Sequence, residues 1–493
     1  MKKIIILAAL AALPQLWGCS SFLEEKPQDR LTTTNFYTNE ADAQAAVDAV
    51  YQELYGIYQR QIFLVCDLPT DTHKNGLGMP NPYLQNLEYL RHDASNTFIR
   101  DTWKNNYEGI ARANTAITHI NSIDINEANK ARLIGEAKFL RALYYFNLVR
   151  FFGDVPLVLS SDNVKDALGP RIAKEQVFQQ IISDLRDAAD VLPITYDATN
   201  AGRATKGAAQ ILLGKVYLTK GDYQEAKTVL EYVITNETAY SYGLFENYGD
   251  NWNPGTETGK EAVFYIEFKP SPLTSNSEMT MIGPKYSASE YIGVANSYEA
   301  DIPTRELYDA FDDNDTRKAV TFRTEYVNPE NGHPVTSSIP LFAKYWQEGL
   351  KDPSQCEINI HVIRYSDAIL SYAEALNNLG ETSGALKQLN RVRERAYGNT
   401  SGNYSTTNQS ELKELILRER WLEFPLEGHR WFDLVRNGVF VERMKEHAAY
   451  EAAHAESNKT ELAANIRDYM VLMPIPQYEL DLNKELTQNP GWE

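Results

Sequence analysis

The chain has 493 residues, 43% hydrophobic and 23% charged, enough for a large core and roughly two or three domain-sized units. Its formal charge is −19, and loss of Lys2 and Lys3 with an N-terminal targeting segment makes it −19 − 2 = −21, a surface that repels polyanions and excludes nucleic acid as a partner. No later stretch approaches 18 uninterrupted apolar residues, so no further membrane span is expected.

Lys2 and Lys3 followed by the apolar run Ile4 to Leu13 form a targeting segment over residues 1–18, too short to span a bilayer with Pro14 and Gln15 next. Leu16-Trp17-Gly18-Cys19 resembles the lipobox of bacterial lipoproteins, in which the cysteine is acylated and becomes the first mature residue. Cys19 is therefore the expected lipidation site and tether. An ordinary signal peptide with an incidental cysteine is the alternative. Cys66 and Cys356 have the option of pairing in an oxidising compartment but lie far apart in sequence, and neither sits in a metal or redox motif.

From Ser20 to about Asn35 the chain is turn-rich, without helical period. Helices follow. Asn39 with Asp42 three residues on is a start signal, and Val47, Val50, Tyr51, Leu54, Tyr55 and Tyr58 continue at helical spacing. Trp103, Tyr107, Ile110, Asn114 and Ile117 mark a second helix. Leu133, Ala137, Leu140 and Tyr144 mark a third, apolar on more than one side, which Gly153-Asp154-Val155-Pro156 stops. A fourth is predicted over Lys174 to Val191.

Two segments share one pattern. Gly214, Tyr217, Gly221, Ala226, Leu230 and Val233 stand at the offsets of a tetratricopeptide helix pair, and Ala373, Leu376, Gly380, Ala385, Leu389 and Val392 repeat them about 160 positions on. Small residues fall where helices cross and glycine falls in the turn. The pairs are not a tandem array in sequence, so other helices must cover their faces. Between them, residues 240–360 are rich in Gly, Pro, Asn, Ser, Tyr and Trp, with one strand candidate, Ala262 to Phe268. A similar turn-rich insertion covers Pro69 to Asn86. The expected fold is mainly α: a helical scaffold with tetratricopeptide-like pairs, long loop insertions and a few short strands.

Catalytic and metal motifs fail on inspection. Gly255 to Lys260 is one residue short of a phosphate loop. Asp312 to Arg317 starts like a calcium loop but has Arg317 in place of the turn glycine, which favours a solvated acidic turn. His447, Glu451 and His454 share a helix face suited to a divalent ion, yet an exposed helix without metal is the better account. Neither G-x-S-x-G nor H-E-x-x-H occurs. Arg418, Glu419, Arg420, Glu423, Glu427, Arg430, Asp433 and Arg436 mix both signs and suit a network locking helices together, and Asn489 to Trp492 suits a turn pinning Trp492 to the body.

The segments CSSFLEEKPQD, FLRALYYFNLVRFFGDVPLV, TKGAAQILLGKVYLTKGDYQEA, RERWLEFPLEGHRWFDLVRNG and MPIPQYELDLNKELTQNPGW, in that order, resemble the landmarks of the SusD/RagB family of Bacteroidetes outer-membrane lipoproteins, from Cys19 to Trp492. The resemblance implies a non-catalytic, surface-exposed protein of the outer membrane that binds a nutrient, usually an oligosaccharide, over a SusC-type TonB-dependent transporter. It needs no cofactor. It also implies a signal peptide over residues 1–18, an N-terminal helical region over 19–240 and a C-terminal region over 241–493 carrying the ligand-face loops. Tyr240 to Lys351 matches only loosely, which leaves the ligand open.

A pyranose offers an apolar C–H face, which stacks on Tyr or Trp, and a rim of hydroxyls, which needs Asn, Asp or Arg. The loop aromatics are the candidates: Tyr83 beside Asn75 and Asn81, Trp252 beside Asn251 and Asn253, Tyr286 and Tyr291, and Trp346 beside Tyr345. No residue is expected to be catalytic or to ligate a metal. A peptide binder on the same scaffold would need an extended groove with free backbone partners. A lipid-anchored glycosidase would need a close carboxylate pair with raised proton affinity on one member.

Overall fold

The computed structural model describes residues 36–76, 81–160, 168–269, 282, 300–327, 333–347, 355–454 and 461–493. Cys19, Tyr286, Tyr291 and the lead from Ser20 to Asn35 lie outside the described residues.

The first helices are α1 (Glu40–Tyr58), α2 (Gln61–Cys66), α3 (Pro82–Glu88), α4 (Thr97–Ile120) and α5 (Glu127–Phe152). Asn39 caps α1 by accepting from the Asp42 N–H, as the start signal predicts. In α5 the apolar residues run around the helix, so it is buried on nearly every side from Leu133 to Phe152, each large side chain contributing about 1.5 to 3 kcal/mol. Gly153 ends it at φ 71°, a conformation glycine adopts without a Cβ clash.

Next come α6 (Lys174–Val191), α7 (Lys206–Lys220) and α8 (Tyr223–Thr235). The α7–α8 turn is closed by the Asp222 N–H donating to the Tyr217 carbonyl at 3.0 Å, with Gly221 left-handed between them. After the insertion, α11 (Tyr365–Asn378) and α12 (Thr382–Tyr397) repeat that turn: the Glu381 N–H donates to the Leu376 carbonyl at 2.9 Å around Gly380. The pairs distant in sequence are neighbours in space. α1, α4, α5, α6, α7, α8, α11 and α12 pack in succession, so α8 of the first pair rests on α11 of the second, and α13 (Gln409–Glu423) closes the row against α11 and α12. The array that sequence separates is thus rebuilt by folding the insertion out of the row.

The insertion holds β2 (Ala262–Ile266), β3 (Asp301–Pro303), α9 (Arg305–Ala310), α10 (Arg317–Thr321), β4 (Phe322–Val327), β5 (Pro334–Phe342) and β6 (Ile360–Arg364). The predicted strand is β2, antiparallel to β6. Two further pairings were not evident in sequence: β1 (His73–Asn75) with β3, and β4 with β5. The chain ends through α14 (Arg430–Arg436), α15 (Phe440–His454), α16 (Glu461–Asn465) and α17 (Gln477–Leu482). Trp492 is pinned as expected: its ring meets Tyr469 edge-on at 4.9 Å and its Nε1–H donates to the Leu472 carbonyl at 3.0 Å.

One apolar core runs from Ala43 to Leu486, shared by residues on both sides of position 240. Cys66 and Cys356 are buried in it and form no disulfide. Burial pushes the Cys356 thiol up to about 12 and Cys66 well above its usual range, so both are inert. No helix among the described residues is long and apolar enough to cross a membrane.

Candidate functional site

The short strands assemble the loop face. Asn75 of β1 pairs with Asp301 of β3, and the Gly76 N–H donates to the Ala300 carbonyl at 3.2 Å. β3 also packs on β5, and the His73 ring lies 4.7 Å from that of Phe342, just before Tyr345 and Trp346. β1, which carries Asn75, and β5, which leads to Trp346, are thus joined through β3.

The candidates fare differently there. Tyr83, 38% exposed in the first turn of α3, keeps an open ring. Asn81 is occupied as the cap of that helix, its Oδ1 accepting from the Tyr83 N–H at 2.9 Å. Asn75 is half-buried, with its side-chain oxygen enclosed and unpartnered. Trp346 is only 9% exposed, and the Arg323 guanidinium stands 4.5 Å from its ring centre.

Trp252 is a correction. It is buried against Tyr248, ring centres 4.7 Å apart, with the Lys344 ammonium 4.5 Å and the Arg364 guanidinium 5.3 Å from its own ring. Its polar neighbours shape a turn rather than a sugar rim. Asn251 is fully buried, and Asn253 Oδ1 accepts from the Gly255 N–H at 3.0 Å.

Beside Trp346 lies an open groove of about 560 Å³, bordered by Tyr308, Asn314, Lys318, Arg323, Thr324 and Glu325. It offers the rings of Tyr308 and Phe322 and both hydrogen-bond donors and acceptors, the mixture a hydroxyl-rich ligand requires. Sequence reasoning passed over Tyr308, Asn314 and Arg323. The signal available was the Asp312 to Arg317 turn, read only as solvated. Asp312 is indeed exposed, but Asp315 and Arg317 are buried and paired at 2.7 Å, which fixes the groove's edge.

Behind the groove the expected charge network is present and larger than predicted. Glu423 accepts from Arg317 at 2.9 Å and Arg364 at 2.8 Å, and also from Arg395. Arg364 grips Glu427 with two nitrogens at 2.7 and 2.8 Å. Burial alone would raise the Glu427 carboxyl, but Arg364 and Lys344 overcome it and hold it at about 2. Such a network locks α13 to the insertion, and the surrounding guanidinium groups hold the Glu423 carboxyl, like that of Glu427, below the ordinary range.

Four described carboxyls have raised proton affinity through burial, Asp67 at about 6, Glu257 at about 7, and Glu53 and Glu479 above their ordinary range. Asp67 accepts from the Gly428 N–H and Glu257 from the Asn359 N–H, both at 2.9 Å, and neither borders the groove. The pair a glycosidase needs is not built from them. The α15 face also departs from expectation: His447 is buried and bonded to Glu306 at 2.7 Å, and Glu451 is buried against Lys74 at 3.3 Å. No metal-ligating group of side chains occurs among the described residues.

Two family models match the chain, one described as the SusD family over residues 326–492 and one as starch-binding, associating with outer membrane, over residues 21–218. SusD-like protein P2 of Formosa agariphila is 28% identical and is covered over 100% of both chains. The starch-binding protein SusD of Bacteroides thetaiotaomicron is 24% identical over 75% of this chain and 74% of its own. A solved laminarin-binding SusD-like protein superposes with a TM-score of 0.76 at 27% identity, covering 92% of this chain and 100% of that one.

Proposed function

The chain belongs to the SusD/RagB family, and from that premise we propose that it is a lipid-anchored glycan-binding protein of the outer membrane's extracellular face, capturing oligosaccharide without a catalytic step and delivering it to a SusC-type TonB-dependent transporter. The superposition on a laminarin-binding relative along nearly the whole chain carries the glycan assignment. The groove beside Trp346 and the open ring of Tyr83 supply the aromatic and hydroxyl-binding groups.

Calorimetric titration with a panel of neutral oligosaccharides, including laminarin and starch fragments, tests this directly. Saturable binding of at least one glycan, with no sugar release, is expected. Binding of peptides with no response to any glycan would overturn it. Cys19→Ala should move the protein from the membrane to the soluble fraction, because no helix among the described residues is long and apolar enough to cross a membrane. Mild-detergent pull-down on a C-terminal tag should recover a barrel in near-equal amount. Recovery of the protein alone in several such detergents would reject the partnership.

A further inference from the structure

A second cavity, of about 570 Å³, opens between the end of α5, the start of α6, α14 and the tail segment Thr487 to Pro490, and it shares no residue with the groove beside Trp346. Part of its wall is apolar, with Phe178, Phe432 and Leu472. The rest is cationic: Arg150, Arg171, Lys174 and Arg436 face one acid, Asp154. This in a chain of formal charge −19 is a marked local reversal.

The ion pairing of these groups is incomplete. Arg436 is neutralised by Glu374 at 2.6 Å and Asp433 at 2.8 Å. Asp154 Oδ1 is occupied in capping α6, accepting from the Lys174 N–H at 2.8 Å. Arg171 donates only to neutral acceptors: the carbonyls of Asp154 at 2.7 Å, Thr487 at 3.0 Å and Phe152 at 3.2 Å, and the Asn489 side chain. Arg150 is sandwiched between the rings of Phe146 and Phe432, 3.9 and 3.6 Å from their centres, and donates to the Phe146 carbonyl at 3.0 Å and Asn147 Oδ1 at 2.8 Å. Among the described residues neither Arg150, Arg171 nor Lys174 has a carboxylate within ion-pair distance. Burial pulls the Arg150 guanidinium down to about 10.

Three cations around one opening share the single nearby carboxylate of Asp154, itself engaged in capping α6, and desolvation adds to the cost of that excess positive charge. An anion entering the cavity removes both penalties. The first turn of α6, an 18-residue helix, adds its partial positive charge at the same point. The space is far larger than a free oxyanion needs, and its apolar wall calls for a ligand with an apolar body as well.

We propose that this cavity is a second binding site, for a carboxylate-bearing sugar, with Arg150 and Lys174 taking the carboxylate and the apolar wall taking the ring. The sugar body rests on the glycan-binding reading above; the anion is carried by the cavity itself. Titration of the mature protein with digalacturonate, a neutral disaccharide and inorganic phosphate tests it, in wild type and in Lys174→Glu, Arg150→Met and Tyr83→Ala. Digalacturonate should bind, should weaken at least tenfold in Lys174→Glu and Arg150→Met, should be unchanged in Tyr83→Ala, and should weaken with added salt. Lys174 is exposed, so its variant keeps the test open even if Arg150→Met unfolds. Absence of binding, equal binding of the neutral disaccharide, phosphate as tight as digalacturonate, or indifference to both cavity variants would each overturn the proposal. Neutral-glycan binding that depends on Tyr83 while digalacturonate fails would leave the glycan-capture function standing; failure of every glycan would remove that function too.

Discussion

Arg430 of α14 holds Asp71 through two parallel hydrogen bonds of 2.7 and 2.6 Å, joining the end of the chain to the residue two before β1. Arg443 reaches the same carboxylate at 2.6 Å. Burial would raise the Asp71 carboxyl, but the charges of Arg430, Arg443 and His447 more than reverse this. Asp71→Ala should therefore cost about 3 to 5 kcal/mol, since it strands the buried Arg430 guanidinium and takes one carboxylate from the half-buried Arg443, which keeps Glu306. Urea unfolding measures the loss. Because the Asp71 carbonyl also accepts from Thr304 Oγ1 at 2.7 Å beside β3, an isosteric Asp71→Asn that keeps the fold should loosen the root of the loop face and weaken ligand binding.

Acid should have little effect at first and a large one later. His92 and His361 are lowered by burial to about 4 and His429 to about 3. In each, the unfolded state takes up a proton from pH 6.5 downward before the folded state does, so stability falls on acidification. Asp67 and Glu257, raised to about 6 and 7, take up protons in the folded state first and work the other way. His73 joins them: burial lowers it, but Asp301 and Asp67 leave it raised. With Glu53 and Glu479, which burial also raises, these groups offset the three histidines and leave stability changing little from pH 7 to the mid-fours. Below about pH 4, Glu427 and Asp433, both held near 2, bind protons first in the unfolded state and stability drops steeply. His92→Phe should tilt the flat region upward toward acid, by at most about 3 kcal/mol at pH 4. Urea melts across pH 7.5 to 3.5 would expose an early monotonic loss, which contradicts this balance.

Helix crossings set a steric limit. A Cβ on Gly214 would stand 2.5 Å from the Leu230 side chain across the α7–α8 pair, and one on Gly109 would stand 2.4 Å from the Tyr144 ring. Gly214→Ala should destabilise by about 1 to 3 kcal/mol through overpacking. Combining it with Leu230→Ala should cost less than the sum of the two single changes, as thermal melts of the four proteins would measure.

The helices were legible because their signals are local. The α6 limits, the Asn39 cap and the Gly221 and Gly380 turns follow from residues within a few positions of each other. The α13–α14 charges were legible as a network for the same reason, but their partners Asp71, Arg317, Lys344 and Arg364 arrive from remote segments. β1 is three residues long and finds β3 more than 200 positions away, so no alternation announces it. Trp252 failed as a surface candidate because Asn251 and Asn253 read alike in a sugar rim and in a tight turn. Only the distant cations over its ring decide between them.

That difference separates the ligand-face substitutions. Tyr83 contributes its ring to solvent and its backbone to α3, so Tyr83→Ala should weaken glycan binding by about 1 to 3 kcal/mol with an unchanged melt. Trp252→Ala should instead cost about 3 to 5 kcal/mol of stability, from the cavity left under Lys344 and Arg364. Trp346 lies between the two, mostly covered, and its substitution mixes both effects. Arg323→Ala is the cleaner probe of the same place, because the guanidinium borders the groove and lies on the indole. Loss of its donors should weaken glycan binding about tenfold while the uncovered Trp346 keeps its packing. Calorimetry with the preferred glycan, run beside thermal melts, distinguishes these cases. Unchanged affinity in Tyr83→Ala and Arg323→Ala, with both proteins fully folded, would move the ligand away from the groove and onto the segment of Tyr286 and Tyr291.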